Sequence, residues 1–431
     1  MQCTAARENC NAVTTLVIGA GLLGLCTAKA LLDRGEAVRI VESREAVALE
    51  TSFANGGMLT PSLPEPWNDP GVHRHLAASL FDPKSAMKLH LHAVPSLFFW
   101  GMKFLRNSAS PRYFRACEDN FRLASYSLQR MQALMRKSKL DFSHGTGGTL
   151  SVFRNAKDLQ NKKAVSDRLA ALGMRYELLD SDGIVELEPA LERVRNELVA
   201  GIHFVDDEFG DAQSFCKALA DIIRASGAEI DTGVHVSEIL HANGRVTGVR
   251  AGDGMIAAKR VVLAAGPWSR RLLRPVGISL PVQPAKGYSV TIDVAGLGGT
   301  PRIPVLDDTM HAGVTPLDHR LRLVGTAEFT GFNTRIDQVR VDNLFDMLKA
   351  LFPLVDARID RSKALPWAGL RPMSADGKPV IGGTAIDGLY LNAGHGQLGW
   401  TLAMGSAELL ADLMQGTQPA IDPAPFSLNR N

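Results

Sequence analysis

The sequence predicts an α/β fold in which a parallel sheet with flanking helices is assembled from three separate stretches of chain and interrupted by an inserted α+β region. Three observations predict it. A β-α-β pattern opens the chain, units of the same kind return in the middle and at the far end, and the stretches between them have a different character.

From Val13 to Glu42 an apolar run meets a glycine cluster, then a 3.6-period helix from Leu22 to Leu32, then Gly35 and a second apolar run, Ala37 to Val41. The middle unit begins where Phe215, Leu219, Ile222 and Ile223 recur at helical spacing after Asp211, a residue type that caps helices. Strand-like Ile230, Val234 and Val236 follow, and Gly244 marks a hairpin between Ile239 and Val246 to Val249. Arg260 to Gly266 reads as a buried parallel strand ending in glycine. The last unit is a strand, Leu389 to Asn392, a turn at Gly394 and an apolar helix from about Leu398 to Met414.

Between these units, 66–204 is helical in pattern and rich in basic and aromatic residues, while 276–364 alternates strand-like runs with one helix near Asp337 to Leu351. The expected organisation is therefore a discontinuous domain, 1–65 with 205–275 and 365–431, and an inserted domain, 66–204 with 276–364.

Composition narrows the function classes. With 45% hydrophobic and 21% charged residues the chain has the makeup of a folded protein, and 47 Lys+Arg against 45 Asp+Glu leave no global field to recruit nucleic acid. Cys3, Cys10, Cys26, Cys117 and Cys216 are scattered without a C-x-x-C spacing, so neither a metal site nor a disulfide framework is expected. Residues 1–12 lack an apolar core for a secretory signal and read as a loose tail, and no run reaches the roughly 18 apolar residues of a membrane span. A cytoplasmic protein, at most peripheral on the inner face of the cell membrane, is the expectation.

Gly19-Ala20-Gly21-Leu22-Leu23-Gly24 fits G-x-G-x-x-G, with Glu42 at the end of the next strand, where a ribose-binding carboxylate stands. Gly19 permits the turn, Gly21 lets backbone approach a pyrophosphate, and Gly24 lets helix and strand pack closely. Glu42 disfavours a 2′-phosphorylated cofactor, since a carboxylate repels that phosphate but accepts hydrogen bonds from a free diol. NAD and FAD both satisfy the motif. The return of the chain to the same domain at its far end favours FAD.

Four strings carry a resemblance: Glu50 to Gly57 (ETSFANGG), Lys286 to Ser289 (KGYS), Gly369 to Met373 (GLRPM) with Asp376 to Gly382 (DGKPVIG), and Asn392 to Thr401 (NAGHGQLGWT). Together they resemble the D-amino-acid dehydrogenase branch, small-subunit type, of the D-amino-acid oxidase family, over about Val13 to Ala420. The resemblance implies a Rossmann-like FAD-binding domain with an inserted α+β substrate domain, FAD held noncovalently, and oxidative deamination of a D-amino acid by hydride transfer to flavin N5. It implies Ser52, Asn55, Gly56 and Gly57 along the flavin, Val236 at the adenine and Gly266 near the nucleotide. By the same resemblance Gly394, Gly396, Gln397, Leu398, Gly399, Trp400 and Thr401 open a helix towards the flavin pyrimidine.

Arg371, with a permanent charge and a planar fork, is the candidate carboxylate anchor, Tyr288 a hydroxyl closing the pocket, and His395 a candidate base or a residue satisfying backbone or flavin groups. His311 is a weaker candidate on the substrate side. The resemblance further implies a quinone or respiratory-chain acceptor. Leu76, Leu80, Phe81, Leu97, Phe98, Phe99, Trp100, Met102 and Phe104, set among Lys84, Lys88, Lys103 and Arg106, suit either a membrane surface or an ordinary helical core.

The chain departs from many relatives at Phe53 and Gly57, and again at Met58-Leu59 and Pro64-Glu65, which leaves the substrate side chain open. D-proline, D-hydroxyproline or an N-methylated amino acid such as sarcosine fits the same fold. An NAD-dependent dehydrogenase would share the first motif but leave the strings at 369–382 and 392–401 unexplained, and a non-catalytic FAD-binding subunit would bind flavin that no amino acid reduces.

Overall fold

A computed structural model describes residues 13–73, 76 and 87–430. Strand β1 (Val13–Ile18) pairs in parallel with β2 (Val38–Val41) on one side and with the second half of the long strand Gly254–Leu263 on the other. Side chains alternate across a pleated strand, and β1 obeys this. Leu16 and Ile18 join Val41, Val261 and Leu263 on one face, while Val17 joins Ile40 and Val262 on the other. That second face is covered by helix α1 (Leu22–Leu32) and by the helices Ser110–Lys137, Ala212–Ala225 and Ala403–Gln415.

The strand Glu229–Asp231 extends this eight-stranded sheet beyond β2, and Leu389–Ala393 and Val380–Gly383 extend it on the other flank. The first half of Gly254–Leu263 belongs instead to an antiparallel meander with Val236–Ala242 and Arg245–Ala251. Asn243 and Gly244, at φ 51° and 75°, make the tight hairpin expected at Gly244. Asp211 caps the helix Ala212–Ala225, its Oδ1 accepting from the N–H groups of Gln213 and Ser214 at 3.0 Å each.

A nine-stranded sheet forms the second layer, in the order Leu365–Ser374, Val282–Asp293, Arg320–Phe329, Ala312–Leu317, Val305–Asp307, Thr149–Phe153, Ala200–Phe204, Glu177–Leu179, with Met87–Leu89 beside Arg320–Phe329. The helix Gln338–Leu351 packs one face through Val341, Leu344, Phe345 and Leu348. A three-stranded sheet, Met58–Leu59, Glu208–Phe209 and Gly145–Thr146, lies at the junction. The strand Leu365–Ser374 pairs along its length with Val282–Asp293, so the chain is still in the nine-stranded sheet at the expected boundary of 365 and rejoins the eight-stranded sheet at Val380.

The last helix differs from the expectation of a start near Leu398. Only a short 3₁₀ turn, Gly396–Leu398, occupies that place, and the α-helix begins at Ala403. Gly394 and Gly396 hold φ 80° and 57°, a left-handed conformation that breaks a helix but suits a loop wrapped round a ligand.

Candidate active site

One cavity of about 820 Å³ runs between the two large sheets and gathers residues from every segment named by the sequence motifs except Asp376 to Gly382. At its floor lies the turn between β1 and α1. Gly19 donates its N–H to Val41 O at 2.8 Å and holds φ 105°, and a Cβ there would stand 2.7 Å from Ala264 O. A Cβ on Gly24 would stand 1.8 Å from Gly19 O, so this glycine is what lets α1 begin directly over the turn. Ser52, from a loop thirty residues on, accepts from Leu22 N–H at 3.1 Å and so caps α1 at the cavity wall. The positive end of α1 is thereby aimed at the space an anion would fill.

Glu42 is held rather than free. Its Oε2 accepts from Ala20 N–H at 2.7 Å and its Oε1 from Arg44 N–H at 2.9 Å, which fixes the carboxylate at the cavity edge with acceptor capacity left for hydroxyl donors. Val234 to Ser237 and Gly266 line the same end.

The loop Ser52 to Gly57 is pinned from the opposite sheet. Ser289 Oγ donates to Ala54 O at 2.7 Å, Arg322 Nη1 to Asn55 O at 3.0 Å, and Thr315 Oγ1 to Gly56 O at 2.7 Å. Three successive carbonyls are thus drawn to the nine-stranded sheet. Asn55 Oδ1 accepts from Gly57 N–H at 3.1 Å and closes the turn.

At the far end the strands Val282–Asp293 and Leu365–Ser374 roof the cavity. Gly287 faces Gly369 across them, and Arg371 and Trp367 flank Gly369 on the cavity side. Arg371 Nη1 donates to Thr326 O at 3.2 Å, and its guanidinium lies 5.1 Å from the Trp67 ring centre. No carboxylate pairs with it among the described residues, and burial draws it down to about 10, which leaves it charged at working pH.

Tyr288 lines the cavity but offers it no free hydroxyl proton, contrary to the expectation. Its ring belongs to the core with Val290 and Leu323, and its O–H donates to Glu328 Oε2 at 3.0 Å. The physical reason is strand alternation: Gly287 faces the cavity, so Tyr288 faces the core. Burial first, then Glu328, pushes the phenol upwards.

His395 is buried on the cavity wall with Nε2 3.0 Å from Ser406 Oγ, and burial pulls its imidazole down to about 3. It is neutral at working pH and suits holding structure or a cofactor group better than shuttling protons. His311 sits exposed in a turn at φ 48° and does not line the cavity.

The cavity brings together Gly19, Gly21, Glu42, Ser52, Asn55, Gly56, Val236, Gly266, Gly396 to Thr401, His395, Tyr288 and Arg371. Gly24, Gly57 and Gly394 stand outside it. Gly24 serves helix packing, while Gly57 (φ 73°) and Gly394 (φ 80°) supply turns beside Gly210 O and Val282 that a Cβ would crowd. Sequence reasoning missed Trp367, Trp268, Arg271, Val324 and Asn392 on the walls. Glycines inside strand patterns, Gly287 and Gly369, were the available signal, since such positions mark close approach.

The residues fit FAD. A glycine cradle that Cβ atoms would fill, a carboxylate at the diol position, and two buried polar atoms on cavity residues without protein partners, Trp400 Nε1 and Asn392 Oδ1, suit an elongated polar cofactor. Cys26, Cys117 and Cys216, the described cysteines, are buried and none lines the cavity. The groups that would hold FAD are the α1 N-terminus for phosphate, Glu42 for ribose and the segment Gly396 to Thr401 for the ring end.

Comparison with known proteins agrees with this geometry. The family model described as DAO, FAD dependent oxidoreductase, matches residues 14–413. A protein of Xanthobacter autotrophicus named D-amino acid dehydrogenase is 39% identical over 96% of this chain and 98% of its own length, and one of that name from Bradyrhizobium diazoefficiens is 36% identical over 96% and 98%. Among solved structures, glycine oxidase from Geobacillus kaustophilus superposes with TM-score 0.77 at 23% identity, covering 97% of this chain and 98% of that one. L-proline dehydrogenase from P. horikoshii gives TM-score 0.77 at 18% identity over 97% of each chain. These likenesses establish the fold.

Proposed function

This chain belongs to the DAO family of FAD-dependent oxidoreductases, and on that premise we propose that it oxidatively deaminates D-amino acids to 2-oxo acids and ammonia. The observation that carries the reading is Arg371, a guanidinium on the cavity wall without a carboxylate partner among the described residues. A charge in that setting is stable when an anion comes to it, and a planar fork suits the carboxylate of an amino acid. The name shared by relatives at 36–39% identity supports the D configuration.

The chemistry FAD supplies when bound is two-electron oxidation of the substrate's C–N bond, the resulting imine taking up water to release ammonia. The protein's share is placement. Arg371 fixes the carboxylate, Trp367 and Val324 enclose the apolar part of the substrate, and the roof of paired strands screens the site from water. Tyr288 and His395 carry no proton in this scheme, the one committed to Glu328 and the other held neutral by burial. The reactive substrate is therefore the free amine.

Anaerobic mixing of the flavin-loaded protein with D-amino acids should bleach the flavin, whereas bleaching by D-proline or sarcosine alone would transfer the reading to those substrates. Arg371→Ala should keep its flavin and lose on the order of 10²-fold or more in kcat/KM.

A second reading concerns the electron acceptor. The helix Val94–Asn107 has two apolar faces: Leu97, Trp100 and Phe104 are buried against Phe329 and Met373, while Val94, Phe98, Met102 and Leu105, with Phe99 at 76% exposure, face outwards beside Lys103 and Arg106. Such a stripe suits the surface of an anionic membrane and delivery of electrons to a quinone. Trp100 Nε1 donates to Met373 O at 3.1 Å, which ties this helix to the strand of Arg371. Leu80, Phe81 and Lys84 of the expected surface lie outside the described residues, and no helix among the described residues is long and apolar enough to cross a membrane. The protein should sediment with anionic vesicles and a Phe98→Ser/Phe99→Ser variant should not; wild-type protein left in the supernatant would remove the membrane reading.

A further inference from the structure

We infer that the cross-strand pair Gly287 and Gly369, backed by a bulge at Thr326, divides the substrate end of the cavity into a carboxylate seat and a side-chain wall. The inference rests on the assignment of Arg371 to the substrate carboxylate and goes beyond it to the residues that aim that side chain and select the substrate's own.

The two glycines are opposed in the antiparallel pairing of Val282–Asp293 with Leu365–Ser374. A Cβ on Gly287 would lie 2.3 Å from the Arg371 guanidinium carbon and 2.4 and 2.5 Å from its terminal nitrogens. A Cβ on Gly369 would lie 1.9 Å from Trp367 Cη2. Arg371 therefore leans across the backbone of the neighbouring strand, and Trp367 folds back over its own. Each depends on a missing side chain. Because residues two apart share a face of a strand, Trp367 and Arg371 stand on the cavity side with only Gly369 between them on that face, roughly 13 Å apart along the strand.

Thr326 supplies the third part. It is the extra residue where Tyr288 pairs with Gly325 and Gly287 with Ala327, and it holds φ 54° although it is β-branched. That conformation is disfavoured for such a residue, and its Oγ1 is buried without a partner, so tertiary contacts hold it there. The product of the bulge is a backbone carbonyl turned onto Arg371 Nη1 at 3.2 Å. A neutral acceptor orients the guanidinium without neutralising it, which leaves the charge for the substrate.

On the other side of Gly369, Trp367 meets Phe53 with ring centres 6.3 Å apart and continues with Val324 as an apolar wall. A substrate whose carboxylate rests on Arg371 presents its side chain to this wall. The wall selects uncharged side chains, and the space in front of Trp367 sets their size.

The test uses the flavin-loaded full chain with an artificial dye acceptor and two substrates, D-alanine and D-phenylalanine. Gly287→Ala should raise KM on the order of ten- to hundredfold for both alike, since an anchor displaced by about 1 Å misplaces every substrate. Gly369→Ala should push Trp367 into the cavity and lower the ratio of kcat/KM for D-phenylalanine over D-alanine roughly tenfold. Placed on Arg371→Ala, Gly287→Ala should cause no further loss, because the group it collides with is gone. An additive loss in that double variant, or a Gly369→Ala that scales both substrates equally, overturns the division. Should Gly287→Ala alone fail to load flavin, Gly287→Ala/Arg371→Ala must recover it, and failure to recover overturns the seat. If Arg371→Ala alone leaves KM unmoved, the carboxylate assignment itself falls, a result distinct from failure of the glycine pair.

Discussion

At the scale of single residues, this protein places its glycines where another atom needs the space. Gly24 lies in the first turn of α1 with the carbonyl of Gly19 1.8 Å from where a Cβ would be, and that contact is backbone, which cannot swing aside. Gly24→Ala should therefore displace the start of α1 and empty the protein of FAD. The check is the ratio of flavin absorbance to protein after purification, and a variant with full flavin content would refute this account of the turn. Arg371 shows the complementary case, a large charged residue tolerated in a wall because Gly287 leaves room for its guanidinium and the Thr326 carbonyl accepts from it.

At the scale of elements, the nine-stranded sheet carries a buried ionic cluster on its core side, opposite the cavity. Glu328 accepts from Lys286 Nζ at 2.8 Å, Arg340 Nε at 2.9 Å and Tyr288 O–H at 3.0 Å, joining two strands to the helix Gln338–Leu351. Burial alone would raise its carboxyl, but the hydrogen bonds from Lys286 and Arg340 overcome this and hold it down to about 2. A carboxylate lowered in the folded state stabilises the protein above its unfolded value near 4.5, and that contribution is lost as pH falls through 2. Glu328→Gln should remove this acid-side dependence and cost about 3–5 kcal/mol at neutral pH, because two buried cations lose their anion. Denaturant titration of flavin-loaded protein between pH 7 and pH 3 measures both effects; a loss below about 1 kcal/mol would show the cluster to be dispensable.

For the molecule as a whole, the cavity that would hold the cofactor lies as a third layer between two sheets. The cavity is walled by β1 and α1 from one side and by Val282–Asp293 and Leu365–Ser374 from the other, so ligand contacts and sheet packing are the same surfaces. Stripping FAD should lower stability by roughly 4 kcal/mol against a solution at a thousandfold its dissociation constant, and Tm should climb with added FAD. A Tm indifferent to FAD would mean that the sheets hold together without it.

Sequence alone determined the β-α-β turn, the carboxylate at Glu42, the hairpin at Gly244, the cap at Asp211 and the strands near Arg260 and Leu389 that return to the eight-stranded sheet. Those features rest on local geometry: a positive φ, a helical period or a fixed offset between strand and carboxylate can be read within some thirty residues. Tertiary structure alone decided which glycines line the cavity and which only shape turns, and it sent the Tyr288 hydroxyl to Glu328. It also drew the strand Leu365–Ser374 into the nine-stranded sheet and brought Thr326 under Arg371. These depend on which strands become neighbours and in what register, and a one-residue change of register turns every side chain to the opposite face. The pairing partners lie up to about ninety residues apart, as Val282 and Ser374 do, beyond the reach of any local pattern.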